Sequence, residues 1–100
     1  MGIYGGNSAI VGVQVHNDAG VPLQSSISIP ANASQVLIAN NTGGAIYIAY
    51  SLGDLDTDFS RFEWPSGIVK RLILPPGVGQ LFLTPKEPAL AATFVSFWLA

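Results

Sequence analysis

A chain of 100 residues with 10 charged side chains, no cysteine and a formal charge of −2 has room for one core, and its composition excludes several kinds of work. Soluble domains carry about 25% charged residues, so much of this surface must be uncharged. Four cations, Arg61, Lys70, Arg71 and Lys86, form no stripe that could neutralise a nucleic-acid backbone, and without cysteine neither disulfides nor thiolate metal sites are available.

Residues 1–8 have glycine at positions 2, 5 and 6 and little to hold them in a core, which predicts a flexible N-terminal arm whose Ile3 and Tyr4 are candidate contacts to a neighbouring molecule. No export signal is legible, because a basic region and an apolar region are both missing, and Gly6 stands where a myristoylation signal needs Ser or Thr. Residues 9–100 are expected to form a single domain. A first strand is predicted at about 9–16, ending on His16, the only histidine. With Asn17 and Asp18 behind it and no Gly-x-Ser-x-Gly turn in the chain, His16 reads as a strand-end or surface residue and not as a catalytic base.

Further strands are predicted at about 25–29, 35–40 and 45–51 from their β-branched and aromatic content and their Pro, Asn, Ser and Gly borders. Gln35–Asn40 and Ala45–Tyr50 flank Asn41-Thr42-Gly43-Gly44, a polar link that tolerates positive φ, so the two runs are expected to form a hairpin. The second run is apolar on both faces: Ile46, Ile48 and Tyr50 on one, Ala45, Tyr47 and Ala49 on the other. That pattern points to a second layer or a partner subunit over the outer face, with tolerated small side chains as the alternative. Asn32-Ala33-Ser34 and Asn40-Asn41-Thr42 match the glycosylation sequon, but read most simply as turn residues bonding their own backbone.

Asp54 to Pro65 holds four of the six acids and is expected to be an exposed excursion. Asp54, Asp56 and Asp58 alternate like the first half of a calcium loop. Phe59 and Pro65 then stand where that loop needs its glycine and its bidentate glutamate, so the EF-hand reading fails and a solvated acidic loop is expected, with an irregular Ca²⁺ or Mg²⁺ site as the alternative and no metal assigned. Clustered acids do not face each other across a cleft as a glycosidase pair must. Tyr47, Phe59, Arg61, Phe62 and Trp64 are the candidate interface residues. The loop aromatics can serve as an anchor between subunits, as plugs of the core, or with Arg61 as a sugar- or peptide-docking platform.

Strands at about 67–74, 79–83 and 93–99 complete the pattern. Gly77-Val78-Gly79 lies ahead of a strand, whereas phosphate-cradling glycines lie ahead of a helix, so it is a turn. Leu90, Phe94, Phe97 and Trp98 also fit a helical stripe, but residue type favours a strand. The apolar run from Ala89 to Ala100 is shorter than the roughly 18 residues a membrane span requires. The fold class expected is all-β, a small antiparallel β-sandwich or jelly-roll-like barrel of about seven strands, with no catalytic residues and no cofactor.

The Gly-rich arm, the run Val36-Leu-Ile-Ala-Asn-Asn-Thr-Gly-Gly-Ala-Ile-Tyr-Ile48, the turn Leu74-Pro-Pro-Gly77 ahead of a strand, and the aromatic closing run Phe94-Val-Ser-Phe-Trp98 together resemble accessory proteins of tailed-phage virions, capsid decoration or cement proteins above all. The resemblance implies a non-enzymatic structural protein on the capsid surface, made in the host cytoplasm. It would bind the major capsid protein or other virion proteins and its own copies, as a homo-oligomer with a trimer favoured. A tail or head-tail connector component is the alternative in the same setting, and a carbohydrate- or peptide-binding β-sandwich the alternative of another class. Neither nucleic acid nor membrane is expected as a direct partner.

Overall fold

The computed structural model describes residues 9–31, 33–56 and 60–99. Runs of Val, Ile, Leu and aromatic residues form eight strands: β1 (Ala9–His16), β2 (Ser25–Ser28), β3 (Gln35–Asn40), β4 (Ile46–Ala49), β5 (Phe62–Trp64), β6 (Val69–Ile73), β7 (Gln80–Pro85) and β8 (Thr93–Leu99), with one helical turn, α1 (Leu52–Leu55), between β4 and β5. Glycine ends several of them: Gly20, Gly43, Gly67 and Gly77 have φ between 77° and 84°, a region that residues with a Cβ rarely occupy. The C-terminal run is a strand, because Val95 and Phe97 point into the core and its backbone bonds are taken by β1 and β3.

Strands β1, β8, β3 and β6, in that order, make a front sheet, and β2, β7, β4 and β5 make a back sheet. The antiparallel pairs β1–β8, β2–β7, β3–β6 and β4–β5 show a long ribbon that turns back at α1 and winds its two arms together. Pairs β3–β8 and β4–β7 lace the arms into sheets. Two four-stranded sheets wound in this way are a jelly roll. The fold class read from sequence therefore holds, with one strand more than expected.

The expected hairpin between β3 and β4 does not form. β3 lies between β6 and β8 in the front sheet, while β4 lies between β7 and β5 in the back sheet. Residues 41–45 carry the chain across the sandwich, and buried Asn40 fixes that crossing. Its amide nitrogen donates to the carbonyls of Gly44 and Trp64, both at 2.9 Å, and its oxygen accepts from the Thr42 backbone N–H at 3.1 Å and the Thr42 hydroxyl at 2.8 Å. One side chain thus ties front-sheet β3 to back-sheet β5.

The described parts of the 54–65 segment, 54–56 and 60–65, are likewise not wholly the open excursion expected. Ser51 caps α1 by accepting from the Asp54 N–H, and α1 rests on β4 and β7 with Leu55 fully buried. Phe62–Trp64 then adds an edge strand to β4.

Inward-facing Val15, Val36, Ile38, Val95 and Phe97 of the front sheet meet Ile27, Ile46, Ile48, Trp64, Leu81 and Leu83 of the back sheet in one hydrophobic core. At the end of β1 buried His16 locks three segments together. Its Nε2 lies 2.9 Å from the Glu87 carbonyl, to which it must donate, and its Nδ1 meets the Thr93 hydroxyl. A neutral ring satisfies both contacts, with the hydroxyl donating to Nδ1.

Candidate functional site

The two outer faces differ in character. On the back sheet the register places Ser26, Ser28, Gln80, Thr84, Tyr47, Glu63, Phe82 and Ala49 outward. Here the chain supplies its own cover, for Ala49 is fully buried and α1 lies over β4 and β7. The guanidinium carbon of Arg61 sits 3.8 Å from the centre of the Tyr47 ring, and Lys86 pairs with Glu63 at 3.3 Å. The second apolar face of β4, which suggested a partner from sequence, is thus covered from within the chain.

Among the described residues no helix lies over the outward side of the front sheet, although Ala39 on that side is itself buried, at 3% exposure. The sheet's register aligns Trp98 with Leu37 and Leu37 with Arg71 across β8, β3 and β6, then Ser96 with Ala39 and Ala39 with Val69, with Phe94 beside Gln14 of β1. All of these share the outward side, because directly opposed residues in an antiparallel ladder project to one face. Phe94 is 51% exposed, Val69 59% and Ile73 68%, while Leu37 and Trp98 are half-buried. Exposed apolar residues scattered singly are ordinary, whereas a contiguous patch marks an interaction surface.

Charge is divided along the same line. The four front strands hold Lys70 and Arg71 and no acid, leaving two cations and all six acids elsewhere, a split of +2 against −4. Arg71 is the single charge on the outward front face, and Lys70 stands beside it on edge strand β6.

Of the residues singled out from sequence, those the structure describes lie away from this face. Trp64 belongs to the core at 7% exposure, and half-buried Phe62 packs against that core, its ring 6.5 Å from that of Trp64 and 5.7 Å from that of Tyr50. Arg61 and Tyr47 form the stacked pair on the back face. Ile3, Tyr4, Phe59 and Asp58 lie outside the described residues. Asp54 sits in α1, and Asp56 accepts from Gln24 at 3.4 Å. No three His, Cys, Asp or Glu side chains are grouped to hold a metal among the described residues. A concavity of about 630 Å³ opens beside His16, Thr42, Glu87 and Thr93, but both His16 ring nitrogens are already engaged. No family model, curated protein or solved structure matches this chain.

Sequence reading missed the front face. The alternation Phe94, Ser96, Trp98 was visible, but which side turns outward depends on the register with β3, and a single sequence does not carry that.

Proposed function

We propose that this chain is a non-enzymatic structural protein that braces a larger protein assembly through the outer face of its front sheet. We place it on the capsid of a tailed phage, against the major capsid protein. The observation that carries the reading is the apolar outward face of the front sheet, where Phe94, Val69 and Ile73 are exposed around half-buried Leu37 and Trp98 with Arg71 as the one charge among them. Such a face fits a flat apolar protein surface, and Lys70 and Arg71 favour carboxylates at its β6 rim. Jelly rolls recur in viral capsid and lectin domains, a likeness of architecture that supports the virion setting by analogy only. A tail or head-tail connector component would use the same face and would assemble into rings or tubes. The carbohydrate- or peptide-platform reading is left without its principal ring, since Trp64 is buried in the core.

Co-sedimentation of the chain with capsid shells tests the reading. The wild type is expected in the shell pellet, and the double variant Ile73→Glu, Phe94→Glu is expected in the supernatant with an unchanged far-UV circular dichroism spectrum. Two exposed positions are altered, so folding is spared. A wild-type chain that stays in the supernatant would sink the capsid setting, and a double variant that still pellets would sink the assigned face.

A further inference from the structure

Each of the two sheets ends in two edge strands, and an edge offers unpaired N–H and C=O groups to any other chain unless it is short, charged or interrupted. Three of the four edges here carry such protection. β2 is four residues long and three of them are serine. β5 is three residues long with Glu63 at its centre, and Pro65 follows it. β6 carries Lys70 and Arg71.

β1 differs from all three. It is eight residues long, Ala-Ile-Val-Gly-Val-Gln-Val-His, with no Asp, Glu, Lys, Arg or Pro. Its far end is covered, because the Val15 carbonyl accepts from the Leu23 N–H at 2.9 Å and the Gln14 carbonyl from the Ser25 hydroxyl at 2.6 Å. Over Ala9–Val13 the only paired strand among the described residues is β8.

Gly12 stands in the middle of that open stretch, and the monomer has no need of it. Its φ is not in the left-handed region, and a Cβ built on it would meet nothing within 4 Å. Glycine inside a strand weakens it, and it commonly marks a place where another backbone or a ligand comes close.

We propose that Ala9–Val13 pairs antiparallel with the same segment of a second copy, joining two front sheets into one eight-stranded sheet about a two-fold axis. The segment is self-complementary, because antiparallel pairing sets only Ala, Ile, Val and Gly against one another, with no like charges opposed. The cations are also well placed for it. β6 is the opposite edge of each front sheet, so the two Lys70–Arg71 pairs end up about 34 Å apart, seven strand spacings of about 4.8 Å, several screening lengths at physiological salt. The pairing uses the edge of the sheet and holds whatever covers its face.

Sedimentation equilibrium of the full chain over a concentration series tests it. The mass is expected to rise from 10.5 kDa toward twice that value, with amide exchange slowing at residues 9–13 as it does. Gly12→Lys and Gly12→Glu each put a charge into open space on the edge, so both are expected to fold and to stay at 10.5 kDa. Mixed in equal amounts they are expected to regain the doubled mass, because with Val11 on the axis each Gly12 lies opposite Ile10 and diagonal to the other Gly12, within reach of long charged side chains. A wild type that stays monomeric, one that closes as a trimer, or a Gly12→Lys chain that keeps the wild-type mass overturns the proposal. Capsid binding is read separately, so either idea can fail while the other stands.

Discussion

Asn40 uses all four of its amide hydrogen-bonding positions inside the protein, two on carbonyls and two on Thr42. A buried donor left without a partner costs roughly 1–3 kcal/mol, far more than the net worth of a typical hydrogen bond. Asn40→Ala strips the amide donor from the Trp64 and Gly44 carbonyls, and the single Thr42 hydroxyl proton, no longer drawn to the Asn40 oxygen, can turn to the Gly44 carbonyl 2.8 Å away. The variant is therefore expected to lose about 3 kcal/mol in urea unfolding. A loss under about 1 kcal/mol would mean that water replaces the amide at little cost. Asn40→Asp is expected to do no better, because it aims a carboxylate oxygen at the same two carbonyls. His16 serves a similar purpose at the other end of the sandwich, joining β1 to Thr93 and to the Glu87 backbone. Neither residue announced this from sequence, where Asn40 read as part of a turn and His16 as a strand end.

Among the elements, β5 is the shortest strand and carries the largest share of the correction to the sequence reading. Its Trp64 lies opposite Ile46 and its Phe62 opposite Ile48, which makes both rings part of the wall of the core. Trp64→Ala is expected to cost about 3–5 kcal/mol, the usual range for emptying a large buried aromatic site. Arg61→Ala removes a stacked cation, worth about 0.5–1 kcal/mol at a partly exposed position. Urea midpoints of the two variants decide between core and platform, and a larger loss for Arg61→Ala than for Trp64→Ala would reverse the assignment. Seven strands were legible because β-branched runs and their Pro and Gly borders are local signals. β5 was not, since three residues preceded by an acidic stretch and followed by Pro65 look like loop. Pairing was misread for a related reason. The link at 41–45 has the composition of a hairpin turn, yet β3 and β4 lie in different sheets, and the Asn40 contacts with Trp64 and Gly44 hold the crossing between them.

At the scale of the whole molecule, stability at high pH follows from two groups. Burial pushes the Tyr50 phenol above its ordinary value of 10.0, and the hydrogen bond from Lys86 to Glu63 raises the lysine. Both groups hold their protons more tightly when folded. Their contributions are complete below the unfolded values and are lost as pH rises through the folded ones. Lys86 is on the surface and adds little. Tyr50→Phe is therefore expected to make the fall in urea midpoint as pH rises through and beyond the ordinary phenol value of 10.0 shallower, and an unchanged slope would remove Tyr50 from the account. The division of the molecule into a self-covered back and a bare, acid-free front was only half legible. Sparse charge and apolar alternation were in the composition, but the bare face turned out to be that of β8, β3 and β6 and not that of β4.

The first strand of the ribbon takes its main partner from the last. His16 lies opposite Thr93 and Ala9 opposite Leu99, so the front sheet cannot begin to assemble at β1 until a loop of more than seventy residues has closed. Topologies dominated by such distant pairings fold in milliseconds to seconds, because the entropy of closing the loop comes before any contact rewards it. During that wait the uncharged β1 stands with both edges open, and a second chain nearby competes directly with β8 for it.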